Sequence, residues 1–268
     1  MFDLTGKCAV VTGGGRGIGR GISLALAAAG ADLFVTGRSS AMLEATVAQI
    51  RAAGGRAVAM PADITDMAVP GSLAERALAE FGRLDVWVNN AGSAAREDVG
   101  ALIDLNEGQW DRVVDLNMKS AFFGAQAAAR AMRGRGGGSI INITSRSGSH
   151  PNPMTGQYGA AKAGVENLTM TMGVEWGHMG IRVNAVAPGV VVTEETMAVL
   201  TGDRSQKQID TVPLGRLGQP HDIASACVYL ASDEAAWVSG ITIPVNGGSR
   251  IAIGYLAYLR KAAKAREG

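Results

Sequence analysis

Tyr158 and Lys162 lie four residues apart in the run YGAAK. On a helix this spacing sets both side chains on one face. A phenol with a pKa of about 10 is a poor base near neutrality, but a neighbouring ammonium stabilises the phenolate and lowers that value. Such a pair can give a proton to a nascent alkoxide or take one from an alcohol. By itself the spacing also fits an ordinary surface helix. Ser145 closes the run IINITS. At the C-terminal end of a strand its hydroxyl faces the ligand edge of an open α/β sheet, where it reaches the same oxygen or simply ends the strand in a turn.

A second constellation lies near the N-terminus, in Thr12-Gly13-Gly14-Gly15-Arg16-Gly17-Ile18-Gly19. Its glycines fall as G-x-x-x-G-x-G, not the strict G-x-G-x-x-G. They let backbone approach a pyrophosphate, and the free N–H groups of the following helix suit its charge. A glycine-rich turn is the bland alternative. The next strand ends in Val35-Thr36-Gly37-Arg38-Ser39, without the acid that would hold adenosine ribose hydroxyls. Arg38 can pair with a 2′-phosphate instead, and Arg16 can approach it from the loop. Either arginine alone reads as a solvated charge. The two together, with the acid missing, point to NADP(H).

These residues need a scaffold. Short β-branched runs (9–11, 33–35, 57–59, 84–88, 139–143, 182–186, 241–245) alternate with helix-like segments (18–29, 41–53, about 72–81, 107–132, 158–176, 222–231). That alternation predicts an α/β fold: one domain over residues 1–268, a Rossmann-type doubly wound parallel sheet of about seven strands with helices on both faces. Gly134–Gly138 reads as a turn. Residues 190–219 break the rhythm and are too long for an ordinary connection, which suggests a substrate lid.

With these pieces in place the chain resembles a single-domain short-chain dehydrogenase/reductase, similar to 3-oxoacyl thioester reductases. The resemblance rests on Thr12–Gly19, Asp63-Ile64, Asn89–Gly92 (NNAG), Asn117, Ser145, Tyr158/Lys162 and Pro188-Gly189 followed by Thr193, in the family's order. It implies that Tyr158 is the proton donor or acceptor. Lys162 lowers its pKa and holds the nicotinamide ribose, Ser145 orients the substrate oxygen, and Asn117 supports a water leading from Lys162 to solvent. The implied cofactor contacts are Gly13, Gly15, Arg16, Gly17, Ile18, Gly19, Arg38, Asp63, Ile64, Asn90, Ala91, Gly92, Tyr158, Lys162, Pro188, Gly189, Val191 and Thr193, with Asn89 bracing the sheet. Asn246 in VNGG departs from the acid commoner at this structural position. The family's usual homotetramer, built on the helices around 109–132 and 158–176, is expected here.

Composition narrows the field further. A formal net charge of +1 gives no general attraction to nucleic acid or anionic membrane. No apolar run approaches the ~20 residues that span a bilayer, and the N-terminus lacks a signal pattern. Cys8 and Cys227 match no metal or redox spacing, nor do His150, His178 and His221 match metal-ligand spacing. A cytoplasmic enzyme without metal, acting on a small carbonyl or alcohol, is therefore expected. Substrate contacts are expected from 93–97, 146–157 and the lid, with Arg96, Arg146 and His150 of open role. A ketone, a 3-oxoacyl group, a hydroxysteroid and a cyclic alcohol all remain open. An NAD(H)-dependent secondary alcohol dehydrogenase, a nucleotide-sugar epimerase or dehydratase, and a non-catalytic cofactor sensor are the competing readings. The extension 249–268 offers Ile251, Tyr255, Leu256 and Leu259 as an apolar helix face, packed on its own subunit or across an interface.

Overall fold

The computed structural model describes residues 2–249 except Val199, and the expected helix face of the C-terminal extension lies outside these residues. Strands β1 (Cys8–Thr12), β2 (Asp32–Gly37), β3 (Ala57–Pro61), β4 (Val86–Asn89), β5 (Gly138–Ile143), β6 (Ile181–Pro188) and β7 (Thr242–Val245) form the sheet. Their order is β3-β2-β1-β4-β5-β6-β7, and every pairing is parallel. The order reverses between β1 and β4. A cleft opens there beyond the strand C-termini, where doubly wound sheets bind ligands.

Both faces of the sheet are buried. Val11, Leu33, Val35 and Val86 pack on one side with Ile22, Leu26 and Ile223. Val10, Phe34, Trp87 and Ile140 pack on the other with Leu73, Ala125 and Met132. The helices responsible are α1 (Gly17–Ala28), α2 (Ser40–Ala52), α3 (Val69–Phe81), α5 (Ser120–Met132), α6 (Gly156–Trp176) and α9 (Pro220–Ala231), while α4 (Glu107–Val114) packs against α6. Period-2 alternation is weak in the strands because apolar side chains face both layers.

Two elements differ from the sequence reading, and a third gains detail. The stretch 107–132 is not one regular helix: a π-helical turn, Asp115–Lys119, separates α4 from α5 and carries Asn117. Such turns are rare and gather at functional sites. Helix α3 begins a turn early, because Pro70 at its start needs no N–H partner. The excursion 190–219 holds two short helices, α7 (Glu194–Met197) and α8 (Asp203–Ile209). Its ends are clamped by a bridge between Val191 and Gly218, with Val192 N–H donating to Gly218 O (2.8 Å) and Gly218 N–H to Val190 O (2.9 Å).

Candidate active site

The glycine loop is shaped by close approach. Gly19 opens α1 against the loop itself, and a Cβ there would lie 2.1 Å from Gly13 O. Gly17 adopts φ 50°, the left-handed region that favours glycine. Asn90 fastens β4 to this loop, its Nδ2 donating to Thr12 O (2.9 Å) and Gly13 O (3.3 Å). Thr12 Oγ1 in turn accepts from the N–H groups of Asn90 and Ala91, at 3.0 Å each.

A cavity of about 690 Å³ runs from this loop to Tyr158. Of the residues expected at a cofactor, Gly13, Gly15, Arg16, Ile18, Gly19, Arg38, Asp63, Ile64, Asn90, Ala91, Gly92, Tyr158, Lys162, Pro188, Gly189 and Thr193 line it, as does Ser145. Gly17 stands just behind, packed towards Thr193. The Val191 side chain is buried in the core and its carbonyl accepts from Thr196 Oγ1 (2.8 Å). Any contact of Val191 with a carboxamide, as the resemblance implies, thus falls to its backbone. Asp63 Oδ1 accepts from the N–H and hydroxyl of Thr65, and these bonds, with the Arg38 charge, hold its carboxyl below the usual range.

At the far end Ser145 and Tyr158 line the cavity side by side. Lys162 is buried, donates to Ile143 O (3.0 Å) and sits with Nζ 5.6 Å from the Tyr158 ring centroid. Burial pushes the Tyr158 phenol above its ordinary value, against the pull of the Ser145 hydrogen bond. Burial also pushes Lys162 down to about 8. The lowering of the tyrosine pKa expected from Lys162 does not appear here: desolvation dominates, and it disfavours both charged forms.

Asn117 is fully buried behind Lys162. Its Nδ2 donates to Ser93 O (2.7 Å) and Val113 O (2.9 Å), while its Oδ1 has no protein partner. A Cβ added at Gly92 would lie 2.6 Å from that oxygen and 3.0 Å from Lys162 Nζ. Both polar atoms therefore face one point beside Gly92, which fits the proton route the resemblance implies.

The supports were harder to foresee. Trp87 Nε1 donates to Asn89 Oδ1 (2.7 Å), Asn89 Nδ2 to Asn142 Oδ1 (2.9 Å), and Asn142 Nδ2 to Thr169 Oγ1 (2.9 Å). This buried ladder ties β4 and β5 to α6, the helix that carries Tyr158 and Lys162. Asp98 and Arg112 were not anticipated either, and both line the cavity. Arg112 Nε and Nη2 donate to Asp98 Oδ1 at 3.0 and 2.7 Å. Gln157 Nε2 donates to Asp98 O (2.6 Å), linking the β4 loop to the residue before Tyr158. No spacing in the sequence marks these pairs. Arg146 turns to Ser249 Oγ (2.7 Å), and His150 Nδ1 lies 3.0 Å from Ser149 Oγ; neither lines the cavity. Asn246 closes its own turn, its Oδ1 accepting from Gly248 N–H (3.1 Å).

Residues 13–250 match the family model described as Enoyl-(Acyl carrier protein) reductase. The chain belongs to the short-chain dehydrogenase/reductase family. It is 41% identical over 249 residues to 2-dehydro-3-deoxy-D-gluconate 5-dehydrogenase of Escherichia coli, covering 92% of this chain and 96% of that protein. It is 41% identical over 243 residues to a 3-oxoacyl-[acyl-carrier-protein] reductase of Staphylococcus aureus, covering 90% and 97%. A solved 7α-hydroxysteroid dehydrogenase, in complex with NADH and 7-oxo glycochenodeoxycholic acid, superposes with a TM-score of 0.88 at 37% identity, covering 92% and 95%.

As a short-chain dehydrogenase/reductase the chain is an oxidoreductase acting on CH–OH groups with a nicotinamide cofactor. Its own residues fit such a cofactor: a loop that admits no side chain at Gly19, a cavity ending at the Ser145–Tyr158 pair, and Lys162 facing it from below. Among the described residues no group of three or more His, Cys, Asp and Glu side chains is gathered to hold a metal, and no helix is long and apolar enough to cross a membrane.

Proposed function

We propose that this short-chain dehydrogenase/reductase uses NADP(H) to interconvert a ketone, or a 3-oxoacyl group, and a secondary alcohol, with Tyr158 as general acid and base. The observation that carries the reading is the cavity that joins Arg16 and Arg38 at one end to Ser145 and Tyr158 at the other. When bound, the nicotinamide supplies or accepts the hydride. Tyr158 gives its proton to the substrate oxygen as that atom gains negative charge. Ser145 donates a second hydrogen bond to the same oxygen, and both bonds strengthen towards the transition state. Lys162, with a pKa near 8, is about 90% protonated at pH 7 and sets a positive charge beside the cavity. Asn117 Oδ1 and Lys162 Nζ support resupply of the proton past Gly92.

The test is nicotinamide absorbance loss against a panel of ketones and 3-oxoacyl thioesters, with NADPH and with NADH. NADPH is expected to be the better reductant. Tyr158→Phe is expected to lower kcat by roughly 10²–10⁴ while NADPH still binds. Unchanged turnover in the variant would remove Tyr158 from the mechanism.

An NAD(H)-dependent secondary alcohol or hydroxysteroid dehydrogenase is the second reading. It draws support from the NADH in the hydroxysteroid relative and from the engagement of Arg16 by Glu195. Further parts of the proposal are a cytoplasmic setting, since Cys8 and Cys227 are unpaired and buried, and a lid role for 190–219. A homotetramer built on α5 and α6 is also proposed. Its support is a groove of about 440 Å³ between these helices, lined by Phe122, Leu168, Thr171 and Trp176.

A further inference from the structure

Arg16 points across the mouth of the cofactor cleft. Its Nη2 lies 2.5 Å from Glu195 Oε1, on α7 of the 190–219 excursion. Backbone brings the two segments together, since a Cβ at Gly17 would meet Thr193 Cγ2 at 3.3 Å. Both partners are about half exposed, at 47% and 57% of their side chains. Arg38 faces the same cleft from the end of β2, with the exposed Asp63 beside it. Glu195 is therefore the acid that holds the loop arginine.

We infer that Glu195 competes with the cofactor's 2′-phosphate for Arg16 and so sets how far this enzyme favours NADPH over NADH. The inference rests on the proposed role of Arg16 and Arg38 as phosphate ligands. An exposed ion pair is weak and exchanges readily. A 2′-phosphate offers the guanidinium fork a stronger, charge-assisted partner. Binding NADPH must first release Arg16 from Glu195, and the freed carboxylate then stands close to a dianion. NADH has no such phosphate, and the Arg16–Glu195 pair survives its binding. Glu195 thus penalises one cofactor and not the other, and the arginine pair delivers less NADPH preference than it would unopposed.

The experiment is equilibrium titration of the full-length enzyme with NADPH and with NADH, read by nicotinamide fluorescence in the absence of substrate. Glu195→Gln is expected to tighten NADPH about threefold, the scale of one exposed ion pair, and to leave NADH unchanged. Raising salt towards 1 M should close the gap between variant and wild type, because these charges are screened. Glu194→Gln removes the same formal charge one residue away and is expected to leave the ratio alone. Equal effects of Glu195→Gln on both cofactors, no effect on either, or an equal effect of Glu194→Gln would overturn the inference. Arg16→Gln separates the two levels. A loss of NADPH affinity that Glu195→Gln cannot improve supports both. A loss in Arg16→Gln with an inert Glu195→Gln sinks the competition alone. No loss in Arg16→Gln sinks the phosphate role and the competition with it.

Discussion

At the scale of single residues, the site holds groups that folding alone would avoid. Lys162 is buried with its pKa displaced from 10.5 to about 8. Holding a charged lysine there costs roughly 3 kcal/mol. The penalty is fully present below pH 8 and disappears as pH climbs from 8 to 10.5, where the unfolded chain also loses the proton. Lys162→Met is therefore expected to raise Tm at pH 7, to lose most of that gain by pH 10, and to lack activity. A Tm below wild type at pH 7 would show that the Ile143 hydrogen bond outweighs desolvation. The same titration should appear in catalysis. In the reductive direction, kcat/KM is expected to hold at pH 6–7 and decline near pH 8, as Lys162 gives up its charge while Tyr158 keeps its proton; a flat profile to pH 9 would contradict this. Gly92→Ala makes a geometric claim. The new methyl would sit 2.6 Å from Asn117 Oδ1 and 3.0 Å from Lys162 Nζ, so kcat should fall at least tenfold, by the measure of a displaced catalytic group. Unaltered kcat would exclude a proton route past this point.

At the scale of elements, the question is what keeps α6 in register with β5, the strand that leads into Ser145. The ladder Trp87–Asn89–Asn142–Thr169 does this from inside the protein, where each amide and hydroxyl is paired. Thr169→Val leaves Asn142 Nδ2 without its acceptor, at a cost of about 1–3 kcal/mol. In a domain of this size that is a Tm drop of roughly 2–10 °C, measurable by calorimetry. A neutral result would mean that the ladder does not position the helix. Much of this level was legible beforehand. Tyr158, Lys162, Ser145 and the glycine loop, which the structure brings to one cavity, stood out in the sequence because each sits at a recognisable place in the αβ rhythm. Strand and helix edges fell within a residue or two, except at α3 and the 107–132 stretch. The π-helical turn escaped because one extra residue per turn leaves the apolar pattern of a long helix almost unchanged. Asp98–Arg112 and Arg16–Glu195 escaped because they join segments far apart in sequence, and a lone charged residue reads as solvated until its partner is placed.

At the scale of the whole molecule, the cleft lies beyond the strand C-termini, away from the α5–α6 groove of the proposed assembly. Val174 is 84% exposed on α6, and Trp237 is fully exposed beyond α9. Apolar groups so placed are ordinary at subunit contacts. If the α5–α6 groove is the contact, Thr171→Arg, at an exposed position, should shift sedimentation from tetramer to dimer without lowering Tm. A tetramer that persists would move the contact elsewhere. The excursion 190–219 has a different kind of independence. Its two ends meet at the Val191–Gly218 bridge, so the chain leaves and re-enters the fold at nearly one point. Changing the length or sequence of what lies between adds little closure entropy, since that cost grows only with the logarithm of loop length. The segment behaves as a cassette. If it is the lid proposed above, one substrate can be traded for another by rewriting the stretch between the clamps, without rebuilding the sheet or the glycine loop.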